Sequence, residues 1–438
     1  MLRICILGLG YIGLPTAALL ASFGQEVIGV DINSHLLELL GEGGIHINEP
    51  ELQPMIIKSI SSQSLKLRSA PEKSDAFIVA VPTPYNEAKS CDLNSVTAAV
   101  NSIIPYLEPG NLIIVESTVP PGTCADLVQP LLEMAGFKTG EDIHLAFCPE
   151  RVLPGQILKE LVENSRIIGG YTHGCAVKAA GLYRIFVKNE IILTDLRTAE
   201  MVKLVENTYR DVNIALANEF TVICNQLGIN AVDVIELANH HPRVNILQPG
   251  PGVGGHCLAV DPYFIVEKAP SLAGLISMAR VVNNRMPVFV VAQVKILLSG
   301  LEQPKIAVLG LSYKGNVADL RESPAAIIVN LLKQAGFRVM VHDPLFGGDE
   351  ITNHVETVVK DADLILILTD HEIFRTYDYL RLAEQMRSPV IFDTRSIINS
   401  QRFNNTKIVL YNLGNIYTVN KDAFPGVNLS TDGCAIFS

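Results

Sequence analysis

The stretch that decides the fold is RICILGLGYIGLPTAALLASF, residues 3–23. The apolar run from Arg3 to Leu7 is typical of a buried strand, and residues 14–23 have the composition of a helix. Between them stands the pattern Gly-x-Gly-x-x-Gly, at Gly8, Gly10 and Gly13. This order predicts a strand, a tight turn and a helix, which together form the first half of a βαβ unit.

The glycine turn also indicates a ligand. Glycines at these positions allow a pyrophosphate to approach the helix N-terminus, whose N–H groups and dipole favour an anion. Tyr11 and Ile12 lie inside the same turn, and the next apolar run ends in Asp31. A carboxylate at that position can bind ribose hydroxyls and repel a 2′-phosphate. The sequence therefore predicts NAD, rather than NADP, as the ligand.

The rest of the chain extends this α/β pattern. At about 150 residues per domain, 438 residues suggest roughly three domains. Apolar runs alternate with helical patterns over residues 1–197, residues 198–300 are mainly helical, and residues 301–438 hold a second set of strands and a tail. We predict two Rossmann-like, doubly wound parallel-sheet domains, joined by a long central helix that begins near Thr198 and a helical middle domain.

Composition argues against several classes of protein. Hydrophobic residues make up 48% and charged residues 18%, as in a compact globular protein. The net charge of −11 disfavours nucleic acids and anionic membranes as partners. No apolar run reaches the roughly 18 residues of a membrane span, and no signal-peptide pattern is present, so we expect a cytoplasmic protein. The eight cysteines form no CxxC pairs, which predicts neither a metal site nor a disulfide framework.

Two segments of the middle region carry candidate chemistry. Lys203, Asn207 and Arg210 share one face of the long helix, which is either a solvated face or a cationic site for an oxyanion. Residues 248–262 read QPGPGVGGHCLAVDP, where four glycines and two prolines precede His256 and exclude regular structure. The loop displays Cys257, whose thiolate would be a nucleophile. Asp261 follows, either as a neighbour one helical turn away or as a cap.

Further candidates lie at predicted strand ends. Thr83 and Thr118 follow the third and fourth apolar runs, at the edge where open α/β sheets bind ligands, although hydroxyls are also common in turns. In the distal unit, Lys314, Arg321 and Arg395 place three cations near strand ends of an acidic protein. They suggest a phosphate-bearing ligand, with ordinary surface cations as the alternative.

Together these residues resemble the nucleotide-sugar 6-dehydrogenases, the family of UDP-glucose and UDP-N-acetylhexosamine dehydrogenases, from Arg3 to about Arg395. The segments CPERVLPG (148–155), HPRVNILQ (241–248) and GGHCLAVDP (254–262) are most similar to the branch that oxidises UDP-N-acetyl-D-mannosamine. The UDP-glucose branch usually carries a glutamate where this chain has Pro154. The resemblance implies NAD as cofactor, a UDP-sugar substrate, a homodimer or dimer-based homo-oligomer, and four-electron oxidation of the sugar C6 alcohol to a carboxylate, for precursors of cell-surface polysaccharide.

The resemblance also implies roles for individual residues. Cys257 would hold the substrate as a thiohemiacetal and then as a thioester. Lys203 and Asn207 would stabilise the oxyanion, and Asp261, Thr118 and Glu150 would position or activate water. The cofactor would contact Gly8, Gly10, Tyr11, Ile12, Gly13, Asp31, Thr83, Thr118, Arg280 and Arg321. The substrate would contact Arg151, Val152, Lys203, Asn207, Arg210, His241, Arg243, Gly254, Lys314, Gly315 and Arg395.

Four alternatives stay open at this point. The sugar could be that of UDP-N-acetylglucosamine or UDP-glucose. A two-electron dehydrogenase would share the Rossmann start and a helical lysine without needing Cys257. An epimerase or dehydratase would use a Tyr-x-x-x-Lys pair, but the two matches, Tyr85 with Lys89 and Tyr417 with Lys421, fall in a loop-like region and near the tail. A non-catalytic NAD-binding or nucleotide-sugar-binding protein would have no use for the set Lys203, Asn207, Cys257 and Asp261.

Overall fold

The structure is a computed structural model that describes residues 1–47, 49–153, 155–348 and 351–419. Pro154, Lys421 and the tail from residue 420 onward lie outside the described residues. The chain divides into two compact units: the first holds residues 1–207 and 260–273, and the second holds residues 208–259 and the chain from Gly274 onward. The division into three domains stays a prediction.

The first unit is built on an eight-stranded sheet of order β3-β2-β1-β4-β5-β6-β7-β8. Its strands are β1 (Arg3–Leu7), β2 (Glu26–Val30), β3 (Leu65–Arg68), β4 (Ala76–Val79), β5 (Leu112–Val115), β6 (His144–Phe147), β7 (Arg166–Gly170) and β8 (Ile191–Asp195). All neighbours are parallel except β6 and β7. The strand order reverses between β1 and β4, so a crevice for a ligand lies at their carboxyl ends.

The second unit contains a six-stranded sheet of order β11-β10-β9-β12-β13-β14. Its strands are β9 (Lys305–Leu309), β10 (Arg338–His342), β11 (Ile351–Thr352), β12 (Leu364–Ile367), β13 (Val390–Asp393) and β14 (Val409–Asn412). Every pair is parallel. Here the order reverses between β9 and β12, which places the corresponding crevice at the ends of those strands.

Helices cover the faces of both sheets and make up the middle of the chain. In the described residues they are α1 (Gly13–Ser22), α2 (Ser34–Gly41), α3 (Leu52–Ser61), α4 (Asn94–Ile103), α5 (Gln129–Met134), α6 (Ile157–Glu163), α7 (His173–Tyr183), α8 (Leu196–Leu227), α9 (Ala231–Asn239), α10 (Asp261–Lys268), α11 (Gly274–Leu297), α12 (Pro324–Gln334), α13 (Val355–Val359), α14 (Glu372–Thr376) and α15 (Tyr379–Ala383). The 32-residue α8 begins in the first unit and continues into the second. Within the described ranges, no helix is long and apolar enough to cross a membrane.

Each sheet is buried on both faces, which explains the continuous apolar runs of its strands. In β1, Ile4 and Ile6 belong to one core, whereas Cys5 and Leu7 belong to the core on the opposite face. In β9, the same alternation divides Ile306 and Val308 from Ala307 and Leu309. The sheets are therefore rigid platforms, and their loops are the parts available for chemistry.

Most predicted elements are confirmed, and the differences have simple causes. Ser323 caps α12 by accepting a hydrogen bond from the Ala326 N–H. The sequence did not predict β3, β7, β8, β11 and β14, which are outer strands of their sheets or less apolar. The predicted parallel first sheet is confirmed, with one exception: β7 pairs antiparallel with β6.

Candidate active site

The glycine turn after β1 is shaped to admit a ligand. Gly8 has a φ of +91°, and a Cβ there would lie 2.5 Å from the Ala80 carbonyl oxygen. A Cβ on Gly13 would collide with the Gly8 carbonyl oxygen, so both positions require glycine. Beside Gly10, in contrast, a Cβ would meet no atom within 4 Å. This open space next to the N-terminus of α1 fits a pyrophosphate.

Asp31 completes this turn from the end of β2. One carboxylate oxygen accepts a hydrogen bond from the Leu9 N–H at 2.9 Å, and the other accepts from the Asn33 N–H at 2.9 Å. Asp31 is half-buried, so its carboxylate is oriented by the protein and still reaches solvent. At α1, the N-cap residue Ile12 provides no side-chain hydrogen bond, and Tyr11 is exposed. These features fit the ribose and diphosphate of a dinucleotide.

Two further loops border the crevice of the first sheet. Thr83, after β4, donates a hydrogen bond through its hydroxyl to the Thr118 carbonyl oxygen, after β5, at 2.6 Å. Ser117 reinforces this link by donating to the Val81 carbonyl oxygen at 2.7 Å. The structure thus brings the two predicted threonines together beside the topological switch point.

The candidate catalytic residues of the first unit form two connected pairs. The Lys203 ammonium on α8 donates to the backbone oxygen of Glu150 at 2.5 Å. One turn later, the Asn207 amide donates to the Asp261 carboxylate at the start of α10, also at 2.5 Å. Asn207 and Asp261 are both buried, and Oε1 of the buried Glu150 has no hydrogen-bond partner. Such an orphan acceptor marks a place for water or substrate.

Behind Glu150 lies a buried ionic cluster that the sequence did not reveal. Arg166 stacks on the Tyr183 ring at 4.3 Å and donates to Glu116 at 3.0 Å and to the Cys148 sulfur at 3.1 Å. The Tyr183 hydroxyl donates to the same Glu116 oxygen at 2.5 Å. Burial raises the pKa of Glu116, and the Arg166 charge opposes that effect. The available signal in the sequence was a charged residue at the end of an apolar run: Glu116 directly follows β5, and Arg166 is the first residue of β7.

The candidate nucleophile belongs to the second unit. Its loop has left-handed backbone at Gly252 and Gly255, and a Cβ on Gly254 would collide with the Glu322 carbonyl oxygen. The Gly255 N–H donates to the Arg321 carbonyl oxygen at 3.0 Å, which anchors the loop just before Cys257. Cys257 is partly exposed. Burial raises the pKa of the core thiols, such as Cys124, so those side chains stay protonated and inert.

Three of the predicted substrate residues gather at the edge of the second sheet. The Gly315 N–H donates to Asp370 at 3.0 Å, and Arg395 pairs with the other oxygen of Asp370 at 3.2 Å. Lys314 immediately precedes Gly315 and is partly exposed. This edge therefore carries two cations, Arg395 held by Asp370 and Lys314 beside Gly315, and cations of this kind suit a diphosphate.

Other predicted residues have protein partners. Arg151 pairs with Glu206 at 2.7 Å, and Val152 packs against the first core. Arg280 is buried and pairs with Asp211 at 2.6 Å, and Arg321 pairs with Asp319 at 2.7 Å. The remaining three are exposed and lie in the second unit: Arg210, His241 and Arg243. The roles of all these residues stay predictions.

Fold and site together define an NAD-dependent oxidoreductase. The family profiles of the UDP-glucose/GDP-mannose dehydrogenases match the chain three times: the NAD binding domain at residues 2–187, the central domain at 197–285 and the UDP binding domain at 307–400. The chain belongs to this family. It is a nucleotide-sugar dehydrogenase that uses NAD, as the sequence predicted.

Similar proteins extend over nearly the whole chain. The UDP-N-acetyl-D-mannosamine dehydrogenase of Methanocaldococcus jannaschii is 48% identical over 420 residues, which is 94% of this chain and 96% of the relative. An NDP-N-acetyl-D-galactosaminuronic acid dehydrogenase of Ralstonia nicotianae is 47% identical, over 91% and 97%. The native structure of the UDP-N-acetyl-mannosamine dehydrogenase Cap5O from Staphylococcus aureus is 51% identical, with a TM-score of 0.88, over 95% of this chain and all of that one.

The buried cluster generates a test of stability. We expect Arg166→Leu to lower the free energy of unfolding by about 3–5 kcal/mol, because it leaves Glu116 buried without its cation. Urea unfolding followed by circular dichroism measures the change. The control is Arg197→Leu, which breaks the exposed pair with Asp126 and should cost less than about 1 kcal/mol. Equal effects of the two substitutions would contradict the assigned role of the cluster.

Proposed function

We propose that this protein oxidises UDP-N-acetyl-D-mannosamine at C6 to UDP-N-acetyl-D-mannosaminuronate, with two NAD+ consumed per substrate and Cys257 as the covalent carrier. The observation that carries the proposal is a partly exposed cysteine on a glycine loop, in a chain that also holds a dinucleotide turn. A two-electron dehydrogenase has no need of a thiol, whereas an aldehyde intermediate must be trapped before its second oxidation. The identity of the sugar is supported by relatives of that name.

In the first half-reaction, the C6 hydroxyl loses a proton and a hydride and becomes an aldehyde. Bound NAD+ supplies the hydride acceptor for this oxidation and for the next one. The ammonium of Lys203 has three N–H donors, so its bond to the Glu150 backbone oxygen still allows it to donate to an oxyanion. The Asp261 carboxylate fixes the orientation of the Asn207 amide, which is the second oxyanion donor.

In the second half-reaction, the Cys257 thiolate adds to the aldehyde carbon to give a thiohemiacetal, whose oxygen keeps the negative charge until it is protonated. Loss of a proton and a second hydride converts this adduct into a thioester. Water then attacks the thioester carbonyl, the carbon–sulfur bond breaks, and the acid leaves. We assign the binding of that water to Glu150, Thr118 and Asp261, and the buried Glu150 Oε1, an acceptor without a protein partner, supports this role.

The direct test measures NADH formed per sugar consumed, with the reaction run to completion. We expect two NADH per UDP-N-acetyl-D-mannosamine, and a much lower kcat/KM for UDP-N-acetylglucosamine, UDP-N-acetylgalactosamine and UDP-glucose. The galactosamine sugar is included because of the Ralstonia relative. One NADH per sugar would make the protein a simple alcohol dehydrogenase. No NADH from any of the four sugars would favour a non-catalytic binding protein.

Cys257→Ser tests the covalent mechanism. The serine hydroxyl is a poor nucleophile at neutral pH, so we expect loss of acid formation, with no more than the first oxidation remaining. Mass spectrometry of the products and of the quenched enzyme makes the measurement. Cys224→Ser serves as the control, because burial raises the pKa of that thiol and the proposal gives it no role. Acid formation by Cys257→Ser at the wild-type rate would disprove the mechanism.

We also propose that two copies of the chain associate through α8. Tyr209, Leu216 and Ile223 are spaced by seven residues on this helix and are 61%, 43% and 44% exposed. A stripe of this kind lets two copies of the chain bury an apolar seam. We place the dimer in the cytoplasm, where reduced cysteines are the rule; the seven described cysteines form no disulfide.

Light scattering coupled to size exclusion tests this surface. We expect Leu216→Glu to shift the mass from dimer to monomer, because it places a charge in the apolar seam. Leu380→Glu is the matched control, since Leu380 is similarly exposed, at 46%, on α15. A wild-type monomer, or equal masses for the two variants, would refute the role of α8.

A further inference from the structure

The second unit repeats the glycine turn of the first. The sequence GLGYIG at residues 8–13 corresponds position by position to GLSYKG at residues 310–315, and each stretch follows the first strand of its fold. Gly8 and Gly310 have φ values of +91° and +92°. Their N–H groups donate to Val30 and His342, the last residues of the neighbouring strands, at 2.8 Å in both cases. The two turns thus share the backbone conformation of their first glycine and its hydrogen bond to the neighbouring strand.

The carboxylate that completes each turn is repeated as well. Asp343 follows β10 as Asp31 follows β2. Asp343 accepts hydrogen bonds from the Leu311 N–H at 2.8 Å and from the Leu345 N–H at 2.9 Å. Asp31 accepts the equivalent bonds from Leu9 and Asn33, both at 2.9 Å. Asp343 therefore occupies the position that binds ribose hydroxyls in a dinucleotide-binding unit.

The two carboxylates differ in what surrounds them. Asp31 is half-buried, whereas Asp343 is fully buried beneath His371, whose Nε2 lies 3.2 Å from it. The Ser312 hydroxyl, at the position of Gly10, adds a bond of 3.3 Å to the same carboxylate. The side chains of His371 and Ser312 therefore occupy the position beside Asp343 where a ribose would bind in a dinucleotide-binding unit.

The geometry around His371 defines its tautomer. Nδ1 accepts a hydrogen bond from the Asn316 N–H at 3.0 Å, so the proton of the neutral ring lies on Nε2 and is donated to Asp343. The imidazole is fully buried and meets the Phe374 ring edge-on at 5.1 Å. The His371 side chain thus connects the Asp343 carboxylate to the backbone of Asn316, the residue that follows Gly315.

The neighbours of His371 hold the same loop at two more points. The Thr369 hydroxyl donates to the Ser312 carbonyl oxygen at 2.7 Å, and Asp370 accepts from the Gly315 N–H at 3.0 Å. Residues 369–371 therefore hold the loop 312–316 in place through hydrogen bonds to Ser312, Gly315 and Asn316. Lys314 lies in this loop, at the position that Ile12 occupies in the first turn.

We propose that His371 is a positioning residue for substrate binding. It hydrogen-bonds to Asp343 where a ribose hydroxyl would bind in a dinucleotide-binding unit, and it thereby fixes the loop 312–316, which presents Lys314 to the diphosphate of the nucleotide sugar. The inference rests on the proposed function of Lys314. It assigns His371 no contact with the reacting atoms. The predicted effect is on affinity for the nucleotide and not on the chemical steps.

The experiment uses the full-length protein, with UDP as the probe in calorimetric titrations and the oxidation of the UDP-sugar as the kinetic readout. We expect His371→Ala to weaken UDP binding and raise the substrate KM by about 10-fold or more, since the hydrogen bonds of His371 to the Asn316 N–H of the loop and to Asp343 are lost. The kcat and the KM for NAD should change less than about 3-fold. His371→Gln should recover part of the affinity, because its amide can again donate to Asp343.

His342→Ala is the matched control. His342 is also a buried histidine of the second unit, but within the described residues its side chain hydrogen-bonds to the Thr352 carbonyl oxygen and the Tyr377 hydroxyl and not to the loop 312–316. We expect a comparable loss of thermal stability with unchanged UDP affinity. If His371→Ala and His342→Ala lower the melting temperature alike and both leave UDP affinity unchanged, His371 is only structural and the inference is wrong.

Lys314→Ala separates the two proposals. If this variant binds UDP as the wild type does, the proposed substrate site fails. If it binds UDP weakly while His371→Ala binds normally, only the positioning role is disproved. Should His371→Ala not fold, His371→Asn carries the same test, because it keeps an acceptor for Asn316 but is too short to reach Asp343 from the same position.

Discussion

Both units depend on the same hydrogen bond. Its donor is the backbone N–H of the residue after the first glycine of the turn, and its acceptor is the carboxylate that follows the next strand. It is made by Leu9 with Asp31 and by Leu311 with Asp343. The left-handed glycine sends the chain sharply away from its strand, and the carboxylate stabilises the turned backbone. In a sheet buried on both faces, this is how the strand end is opened to a ligand without leaving N–H groups unsatisfied.

A second constraint, the burial of polar groups, fixes the candidate catalytic residues of the first unit. Lys203 and Asn207 could move freely on a solvated helix face, but here each is bonded to a partner on another segment. A buried polar group without a partner is costly, so these pairs have few alternative arrangements. The cluster of Glu116, Arg166 and Tyr183 extends this rigidity behind Glu150.

The sequence was informative wherever the deciding residues are close together in the chain. The glycine turn and the position of Asp31 beside it follow from local backbone requirements, and the structure has both as predicted. The partners of Arg166 could not be predicted, because Glu116 is 50 residues away and the two meet only when β7 reverses beside β6. The Glu206 partner of Arg151 was missed for the same reason, at a separation of 55 residues.

The turn at residues 310–315 begins with the same glycine conformation as the first turn but carries different side chains. The fold requires glycine at position 310, whereas positions 312 and 314 can carry a serine and a lysine without changing the turn. An acidic residue at this edge looks unfavourable for an anion, yet Asp370 has a structural use. Burial raises the pKa of Asp370, but the Arg395 charge, the Arg395 hydrogen bond and backbone hydrogen bonds, including that from the Gly315 N–H, together hold that pKa below its usual range. The ionised carboxylate therefore orients both Arg395 and the Gly315 N–H. In a chain of net charge −11, Asp370 thus holds a cation and a backbone donor together at one edge of the second sheet.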